Sequence, residues 1–380
     1  MLYAPELHEP LSGVPWSAAR ARDAIHAIVA DVDRVYDPQD FWPAHEWDGY
    51  EAALPMKNLY CGAGGVCWAL SRLRDSGHAA TALDLIAVAQ RALARFREEP
   101  DFLQSEELPA QKRSSLFMGD AGLVFVAWLA EPSDTLATEL LELVRQNVGN
   151  ESNELMWGVP GTLLIARALH TRTREDRWRA AIEESAQALR DERDDDGLWT
   201  QRLYGHTSRI LGPIHGFVGN IAALDDTHGG ADILRHAAVF DGDYANWLPE
   251  VGYERVPRLQ WCHGAPGIIA TASEYLDEEL LIAGAQLIWD AGPLEVEEKG
   301  PGLCHGTAGN GYALLKTFER TGDERWLDRA RAFAMHALAQ VEKLPARYSL
   351  FTGGIGVALY VADCIDAHAR FPIVDGLDNS

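Results

Sequence analysis

Two Cys-His pairs lie in nearly identical surroundings, Cys262-His263 within QWCHGAPG and Cys304-His305 within GLCHGTAGN. Thiolate sulfur and imidazole nitrogen are preferred ligands of zinc, and catalytic zinc sites use three protein ligands with a fourth position open. We predict that Cys262, Cys304 and His305 form such a site. His263 competes with His305 as the third ligand, and the spacing alone does not decide between them.

Three other polar residues are candidates for the same site. His215 precedes a glycine in PIHG without a cysteine neighbour. This favours a general acid-base over a metal ligand, and a histidine hydrogen-bonded within a turn is the alternative. Glu154, before the apolar run LMWG, is a candidate to orient an imidazole or to bind a substrate ammonium group. Arg258, four residues before Cys262, is a candidate to hold a carboxylate or an anionic intermediate. Ordinary surface charges are the alternative for both.

These residues belong to a repeat that runs through the whole chain. Each unit contains Gly-x-x-Gly, preceded by a short apolar or aromatic run and followed by an apolar stretch, and the first glycines recur at intervals of 39 to 58 residues. One such motif would be weak evidence, whereas seven with matching flanks are strong. In units one to seven the first glycines are Gly62, Gly119, Gly158, Gly216, Gly264, Gly306 and Gly353.

Segments between the glycine motifs have the 3.6-residue periodicity of amphipathic helices, for example residues 79–98 and 322–342. The stretch after each motif is more uniformly apolar, as expected for a helix buried on most of its surface. Such inner helices must be covered on all sides, and a closed ring achieves this without an exposed end. We therefore predict an all-α fold, an α/α toroid of seven helical hairpins with inner and outer helix layers. An open solenoid is the alternative, but it would need polar capping repeats.

The glycines permit positive φ and close backbone approach, and they place the loop before each inner helix at one end of the barrel. The residues one and two positions before each first glycine should therefore converge around a shared mouth. The ring accounts for residues 1–380 as one domain, with an N-terminal arm over about residues 1–16 and a C-terminal tail over about residues 370–380.

The composition restricts the partners of this ring. The 380 residues include 33 lysines and arginines against 57 acidic residues, and the resulting charge of −24 argues against binding nucleic acid or an anionic membrane. No segment approaches the roughly 20 apolar residues of a membrane-spanning helix, and the N-terminus lacks a signal-peptide pattern, so we expect a soluble, cytoplasmic protein. Five cysteines are an odd number, which does not suggest a disulfide framework. Cys61, Cys67 and Cys364 are expected to be packing residues.

The motifs WCHGAPG and LCHGTAGN, with a His-Gly pair upstream, resemble those of the lanthionine synthetase C (LanC) family. The resemblance covers essentially the full chain and implies an α/α toroid with one zinc ion. Its zinc ligands, catalytic histidine and functional arginine correspond here to Cys262, Cys304, His305, His215 and Arg258.

Two positions differ from the dedicated lantibiotic cyclases and match the LanC-like branch of the family. Those cyclases have an aspartate where this chain has Glu154, and they often have a tyrosine where this chain has His263. The resemblance is therefore closer to the LanC-like proteins, which are associated with adding the thiol of glutathione to dehydroalanine or dehydrobutyrine in proteins.

Both branches imply a zinc-dependent enzyme that forms a thioether by Michael-type addition of a cysteine or glutathione thiol to a dehydroamino acid. In this mechanism His215 protonates the α-carbon of an enolate, Arg258 stabilises the enolate oxygen, and Glu154 positions His215 or the substrate. The implied partners are a dehydrated peptide or protein, glutathione, and a dehydratase or kinase partner, without nucleic acid or membrane insertion.

Other functions are compatible with an α/α toroid, including glycoside hydrolase and prenyltransferase-type sites. A glycoside hydrolase needs two opposed carboxylates at the mouth. Glu154 and Asp120 are the candidates for them, but neither explains the Cys-His pairs. A non-catalytic, zinc-stabilised peptide-binding scaffold is the alternative from a different class. Structural zinc usually has four protein ligands, so an open coordination position would favour the enzyme.

Overall fold

The computed structural model describes residues 1–49, 52–102, 114–225, 229–295 and 300–377. Within these residues the chain forms fourteen α-helices and two short antiparallel β-hairpins. In chain order the helices are α1 (Ala18–Val35), α2 (Ala63–Asp75), α3 (Leu85–Glu98), α4 (Asp120–Ala130), α5 (Asp134–Asn147), α6 (Val159–Thr173), α7 (Asp176–Asp191), α8 (Phe217–Leu224), α9 (Gly230–Ala237), α10 (Ala265–Ala272), α11 (Glu278–Ala291), α12 (Thr307–Thr321), α13 (Glu324–Lys343) and α14 (Gly354–Asp366).

Odd-numbered helices form the outer layer and even-numbered helices form the inner layer. The outer helix α3 begins where the Asp84 side chain accepts backbone N–H groups of its first turn, and its buried residues recur every three or four positions. The inner helix α4 instead buries every residue from Ala121 to Trp128. A helix buried on all faces needs neighbours on all sides, and the two-layer ring supplies them.

The ring closes between the seventh unit and the first. Helix α14 packs against both α1 and α2, so the first helix of the chain completes the hairpin of the last unit. The loops before the inner helices are also joined: the N–H of Phe351 donates to the Tyr60 carbonyl at 3.2 Å, and the N–H of Cys304 donates to the Phe351 carbonyl at 2.9 Å. The predicted α/α toroid is therefore confirmed, and the open solenoid is wrong.

Close packing, more than a left-handed backbone, explains the Gly-x-x-Gly motifs. Among the first glycines, which cap the inner helices, Gly264 has a φ of 91°, whereas the other six have negative φ. The second glycine faces a carbonyl group six residues earlier, and a Cβ atom at Gly309 would lie 1.8 Å from the Leu303 oxygen. The same Cβ would lie 3.1 Å from the Trp261 side chain of the preceding unit, and each of the seven second glycines meets the preceding unit in this way. The second glycine thus sets the spacing between neighbouring units.

Two glycines in the first turn of α14 provide a matched test of this explanation. A Cβ atom at Gly356 would lie 2.1 Å from the Leu350 carbonyl oxygen, whereas at Gly354 the nearest atom would be 3.6 Å away. We expect Gly356→Ala to lower the free energy of unfolding by about 3 kcal/mol or more, and Gly354→Ala to change it by less than about 1 kcal/mol. Urea unfolding followed by circular dichroism measures both. Equal stability of the two variants would contradict the packing explanation.

The predicted C-terminal tail, as far as Leu377, is a packed part of the ring; residues 378–380 lie outside the described residues. Phe371 is fully buried and stacks on Trp261 with ring centroids 4.5 Å apart. The N–H of Arg370 donates to the Asp363 carboxylate at 2.9 Å. Asp363 lies near the C-terminal end of α14, whereas the loops that precede the inner helices lie at the opposite end of the barrel. The segment therefore covers the barrel at that end.

The two hairpins were not predicted, because strands of three or four residues are too short for alternation to show. One hairpin lies between α7 and α8, and the other lies between α9 and α10. Among the described residues, no helix is both long and apolar enough to span a membrane. The strands are β1 (Gln201–Leu203), β2 (His206–Ser208), β3 (Ala238–Asp241) and β4 (Tyr244–Trp247).

Candidate functional site

A cavity of about 420 Å³ opens at the end of the barrel where the inner helices begin. All seven units contribute to its wall from the positions one or two residues before the first glycine, as the repeat predicts. These residues are Tyr60, Cys61, Met118, Met156, Ile214, His215, Cys262, His263, Cys304, His305 and Thr352.

Cys262, Cys304 and His305 come together on this wall, and their ligand atoms all lie within 4.8 Å of one another. Both cysteines are buried and His305 is half-buried. The N–H of Cys262 donates to the Cys304 carbonyl at 3.3 Å, which joins the loops of the fifth and sixth units. Two sulfurs and one imidazole nitrogen match the ligand types and the ligand number of a zinc site with an open position. The residues present therefore fit a zinc ion.

His263, the rival third ligand, is hydrogen-bonded to the Cys262 thiol and lines the same cavity. Across the described chain, the ligand atoms that lie together include His305 and not His263, so the geometry favours His305. Burial alone would raise the pKa of Cys262, but hydrogen bonding to Cys304 and the two neighbouring imidazoles hold that pKa well below its ordinary value. A readily ionised thiol is suited to bind a metal.

His215 and Glu154 form a hydrogen-bonded pair between the fourth and third units. Glu154 Oε2 lies 2.7 Å from His215 Nδ1, and the carboxylate also accepts the N–H groups of Met156 at 3.0 Å and Trp157 at 2.6 Å. Glu154 is fully buried, whereas 19% of the His215 side chain is exposed. With Nδ1 donating to the carboxylate, Nε2 is the nitrogen left to meet a substrate. This is the geometry that the predicted orienting role of Glu154 requires.

Tyr204, which the motifs did not identify, packs against His215. Its ring meets the imidazole edge-on with centroids 6.1 Å apart, and its hydroxyl accepts the Trp157 Nε1–H at 3.0 Å. Burial raises the pKa of Tyr204 to about 12, so the phenol stays protonated at neutral pH. Tyr204 and Gly205 form the turn between β1 and β2 with φ values of 52° and 73°. Positive φ at both positions is typical of a type I′ turn, and Gly205 was the sequence signal for it.

A second polar group on the wall joins the segment before α2 to the seventh unit. Asp48 Oδ2 accepts hydrogen bonds from the hydroxyls of Thr352 at 2.6 Å and Ser349 at 3.2 Å. Arg347 also lines the cavity, and burial lowers the pKa of its guanidinium although Asp48 acts in the opposite direction. Thr352 occupies the repeat position before the first glycine and could have been identified from the aligned units. Asp48 and Arg347 lie outside the repeated motif, so the alignment did not reveal them.

Arg258, predicted to hold an anion, is exposed, and the described residues of the cavity wall do not include it. Its carbonyl oxygen faces Gly264, where a Cβ atom would lie 2.3 Å away, so its backbone is part of the tight turn before α10. Asp120, considered as the acidic partner of Glu154 in a hydrolase, begins α4 and is likewise outside the described wall. The anion-binding role of Arg258 stays a prediction.

The other three cysteines are also buried and free. Cys67 lies in α2 and Cys364 lies in α14, and burial raises the pKa of both thiols, that of Cys67 to about 12. Cys61 lines the cavity, but burial and the nearby carboxylates of Asp48 and Asp101 raise its pKa well above the ordinary value. These environments suit the packing roles expected for all three.

The fold and the site together define a class, an α/α toroid with a cysteine-histidine centre at the mouth of its barrel. The sequence model of the family described as lanthionine synthetase C-like protein matches residues 55–375. The chain therefore belongs to the lanthionine synthetase C-like family.

Two relatives are similar to this chain in sequence, and one solved structure is similar to it in fold. "Glutathione S-transferase LANCL1" from Danio rerio is 28% identical over 306 residues, which cover 69% of this chain and 74% of that protein. "LanC-like protein GCL1" from Arabidopsis thaliana is 31% identical over 144 residues, which cover 33% of this chain and 32% of that protein. The structure of nisin cyclase superposes with a TM-score of 0.59, covering 96% of this chain and 99% of that chain. At 14% sequence identity the likeness to nisin cyclase concerns the fold.

Proposed function

We propose that this protein is a zinc-dependent enzyme that forms thioethers by adding a thiol to a dehydroalanine or dehydrobutyrine residue of a peptide or protein. One observation carries the proposal: the cluster of Cys262, Cys304 and His305 shares a cavity with His215, which is paired with Glu154. A centre that can bind a thiol and a group that can move a proton, facing the same space, are what this addition requires.

Cys262, Cys304 and His305 would hold the zinc ion. When bound there, zinc would lower the pKa of a substrate thiol while leaving its sulfur nucleophilic. The chain prepares the centre by depressing the pKa of Cys262 and by joining the two cysteine loops through a backbone hydrogen bond. All three residues line the cavity, so a thiol bound in that cavity would lie next to the cluster.

The electrons and protons of the addition can be followed through groups on the cavity wall. The thiol loses its proton to solvent, and its sulfur bonds to the β-carbon of the dehydroamino acid. The π electron pair of the C=C bond moves to the α-carbon and its carbonyl, which gives an enolate. His215, oriented through Nδ1 by Glu154, donates a proton from Nε2 to the α-carbon. It then regains a proton from solvent, which balances the one that the thiol released. Arg258 would have to turn towards the cavity to stabilise the enolate oxygen.

The proposed nucleophile is glutathione or a cysteine of the peptide itself. The name of the LANCL1 relative, a glutathione S-transferase, favours glutathione. A cavity of about 420 Å³ lies within the size range of small-molecule sites, so a tripeptide thiol and the reacting residue of a larger substrate are compatible with it. A dehydrated peptide or protein is the proposed electrophile, and a dehydratase or kinase partner would supply it.

The residues of the cavity wall give less support to the two rival functions, a glycoside hydrolase and a zinc-stabilised scaffold. Asp48 is the one carboxylate among the described wall residues, so a pair of opposed acids for glycoside hydrolysis is missing from that set. Glu154 lies behind the wall and is committed to His215 and to backbone N–H groups. A structural zinc site would need a fourth protein ligand, and the cluster found within the described chain has three.

A mass-shift assay tests the proposed function. The zinc-loaded protein is incubated with a peptide that contains dehydroalanine, with and without glutathione, and the metal-free protein is the control. We expect the peptide to gain the mass of one glutathione. If the peptide also contains a cysteine, intramolecular addition removes the free thiol without a mass change. Formation of neither product would contradict the proposal and favour the scaffold.

A further inference from the structure

Each ligand cysteine of the metal cluster has a neutral hydrogen-bond partner outside the cluster. Gln260 Nε2 donates to Cys262 Sγ at 2.9 Å, and the glutamine is buried with 4% of its surface exposed. The N–H of Gln260 donates to the His263 carbonyl at 3.1 Å, and the N–H of His263 returns a bond to the Gln260 carbonyl at 2.9 Å. This closed turn fixes the backbone that carries Gln260 beside Cys262.

Tyr60 is the corresponding hydrogen-bond partner of Cys304. Its hydroxyl is hydrogen-bonded to the Cys304 thiol. Its ring stacks on Phe351 with centroids 4.8 Å apart and planes 10° apart, and it meets Phe117 edge-on at 6.3 Å. An ionised Cys304 can only accept, so the phenol O–H is the donor whenever this cysteine serves as a metal ligand. Aromatic packing on two sides holds that donor in place.

We propose that Gln260 and Tyr60 protect the two ligand sulfurs from the electrophilic substrate, so that the incoming thiol, rather than Cys262 or Cys304, adds to the dehydroamino acid. The identity of the electrophile rests on the proposed function. A hydrogen bond to an ionised sulfur occupies a lone pair and stabilises its negative charge. A thiolate stabilised in this way is a weaker nucleophile. Both residues are specificity-determining, because they select which sulfur reacts.

The reaction that this arrangement prevents is a self-addition. A ligand sulfur would bond to the β-carbon of dehydroalanine, the π electron pair would pass to the α-carbon, and the α-carbon would take a proton from solvent. The cysteine would become a thioether, which carries no negative charge and is a poor ligand for zinc. Each such event would permanently inactivate one molecule, so a protein with this function has reason to suppress it.

Labelling with N-ethylmaleimide tests the proposal, because this reagent is also a Michael acceptor. Gln260→Leu and Tyr60→Phe each remove one donor with little change in side-chain volume. Zinc-loaded protein without a thiol substrate is labelled, peptide mapping gives the rate at each cysteine, and a chromogenic chelator follows zinc release. We expect the labelling rate of Cys262 to rise about tenfold in Gln260→Leu, and that of Cys304 to rise about tenfold in Tyr60→Phe. Rates equal to those of the wild type would overturn the proposal.

Tyr275→Phe is the matched control, because this buried hydroxyl contacts the Ile221 carbonyl at 3.3 Å and is not part of the described cavity wall. Its labelling rates are expected to equal those of the wild type. Cobalt-reconstituted protein provides a second measurement, in which removal of either donor should move the sulfur-to-cobalt charge-transfer band to lower energy. An unmoved band in both variants would also overturn the proposal. If one variant does not retain the metal, the other decides the question.

Neither measurement requires turnover, so the proposal and the proposed function fail separately. Donor-dependent labelling in a protein that forms no thioether would leave the protection intact and count against the enzymatic function. Thioether formation together with labelling rates that neither variant changes would support the enzymatic function and overturn the protection by Gln260 and Tyr60.

Discussion

Replacement of Cys304 or Cys262 by alanine is expected to abolish stoichiometric zinc binding, and thioether formation should disappear with the metal. Each substitution leaves one sulfur and one imidazole from a cluster whose ligand atoms lie within 4.8 Å. Two protein ligands are fewer than the three found in catalytic zinc sites. Elemental analysis after dialysis measures zinc per chain, and mass spectrometry of a dehydroalanine peptide measures product.

Cys364→Ala is the matched control for this experiment. Cys364 is fully buried within α14 and is not one of the described residues that line the cavity. This variant should retain one zinc ion per chain, even if the loss of a buried sulfur lowers its stability. Stoichiometric zinc in both Cys262→Ala and Cys304→Ala would remove these cysteines from the metal site.

His215→Ala is expected to separate metal binding from chemistry. The imidazole is not part of the cluster of ligand atoms and is held at Nδ1 by the buried Glu154 carboxylate. Zinc content should therefore stay at the wild-type value. The rate of thioether formation should fall by a factor on the order of 10² to 10⁴, the usual contribution of a positioned general acid. Time-resolved mass spectrometry of the glutathione adduct measures this rate.

A surface histidine on another helix controls for the loss of an imidazole as such. His236 lies in α9, is exposed, and contacts the Asp232 carbonyl through Nδ1. His236→Ala should keep both zinc and the wild-type rate. If His215→Ala formed product as fast as the wild type, His215 would have no part in the mechanism.

The fold was predictable because one packing constraint recurs in every unit. A Cβ atom on a second glycine would collide with the carbonyl oxygen six residues earlier, at 1.8 Å for Gly267 and 2.1 Å for Gly356. The constraint therefore leaves a visible glycine in each unit. The predicted reason was partly wrong, since Gly264 is the one first glycine with positive φ. A steric requirement can be located from sequence before its geometry is known.

The cavity was predictable only where its residues belong to the repeat. Cys262 and Cys304 lie two residues before the first glycine of their units, His215 lies one residue before it, and the ring brings all three to one wall. Tyr204 reaches the wall from the turn of a short hairpin, and Asp48 reaches it from a segment before the first unit. Neither contact follows from periodicity, because each depends on tertiary packing between segments that carry no shared pattern.

Because the ring closes between the two ends of the chain, the order in which its segments are synthesised affects the surroundings of Cys262 and Cys304. The loops of the fifth and sixth units, which carry Cys262 and Cys304, are neighbours in the chain and pair through the Cys262 N–H. The cavity wall near Thr352 is complete only after α14 has packed against α1 and α2. These contacts join opposite ends of the sequence. Contacts between segments far apart in sequence carry a larger loop-closure cost and are slow to form. A growing chain therefore contains the loops of Cys262 and Cys304 before it contains α14, whose packing on α1 and α2 closes the ring.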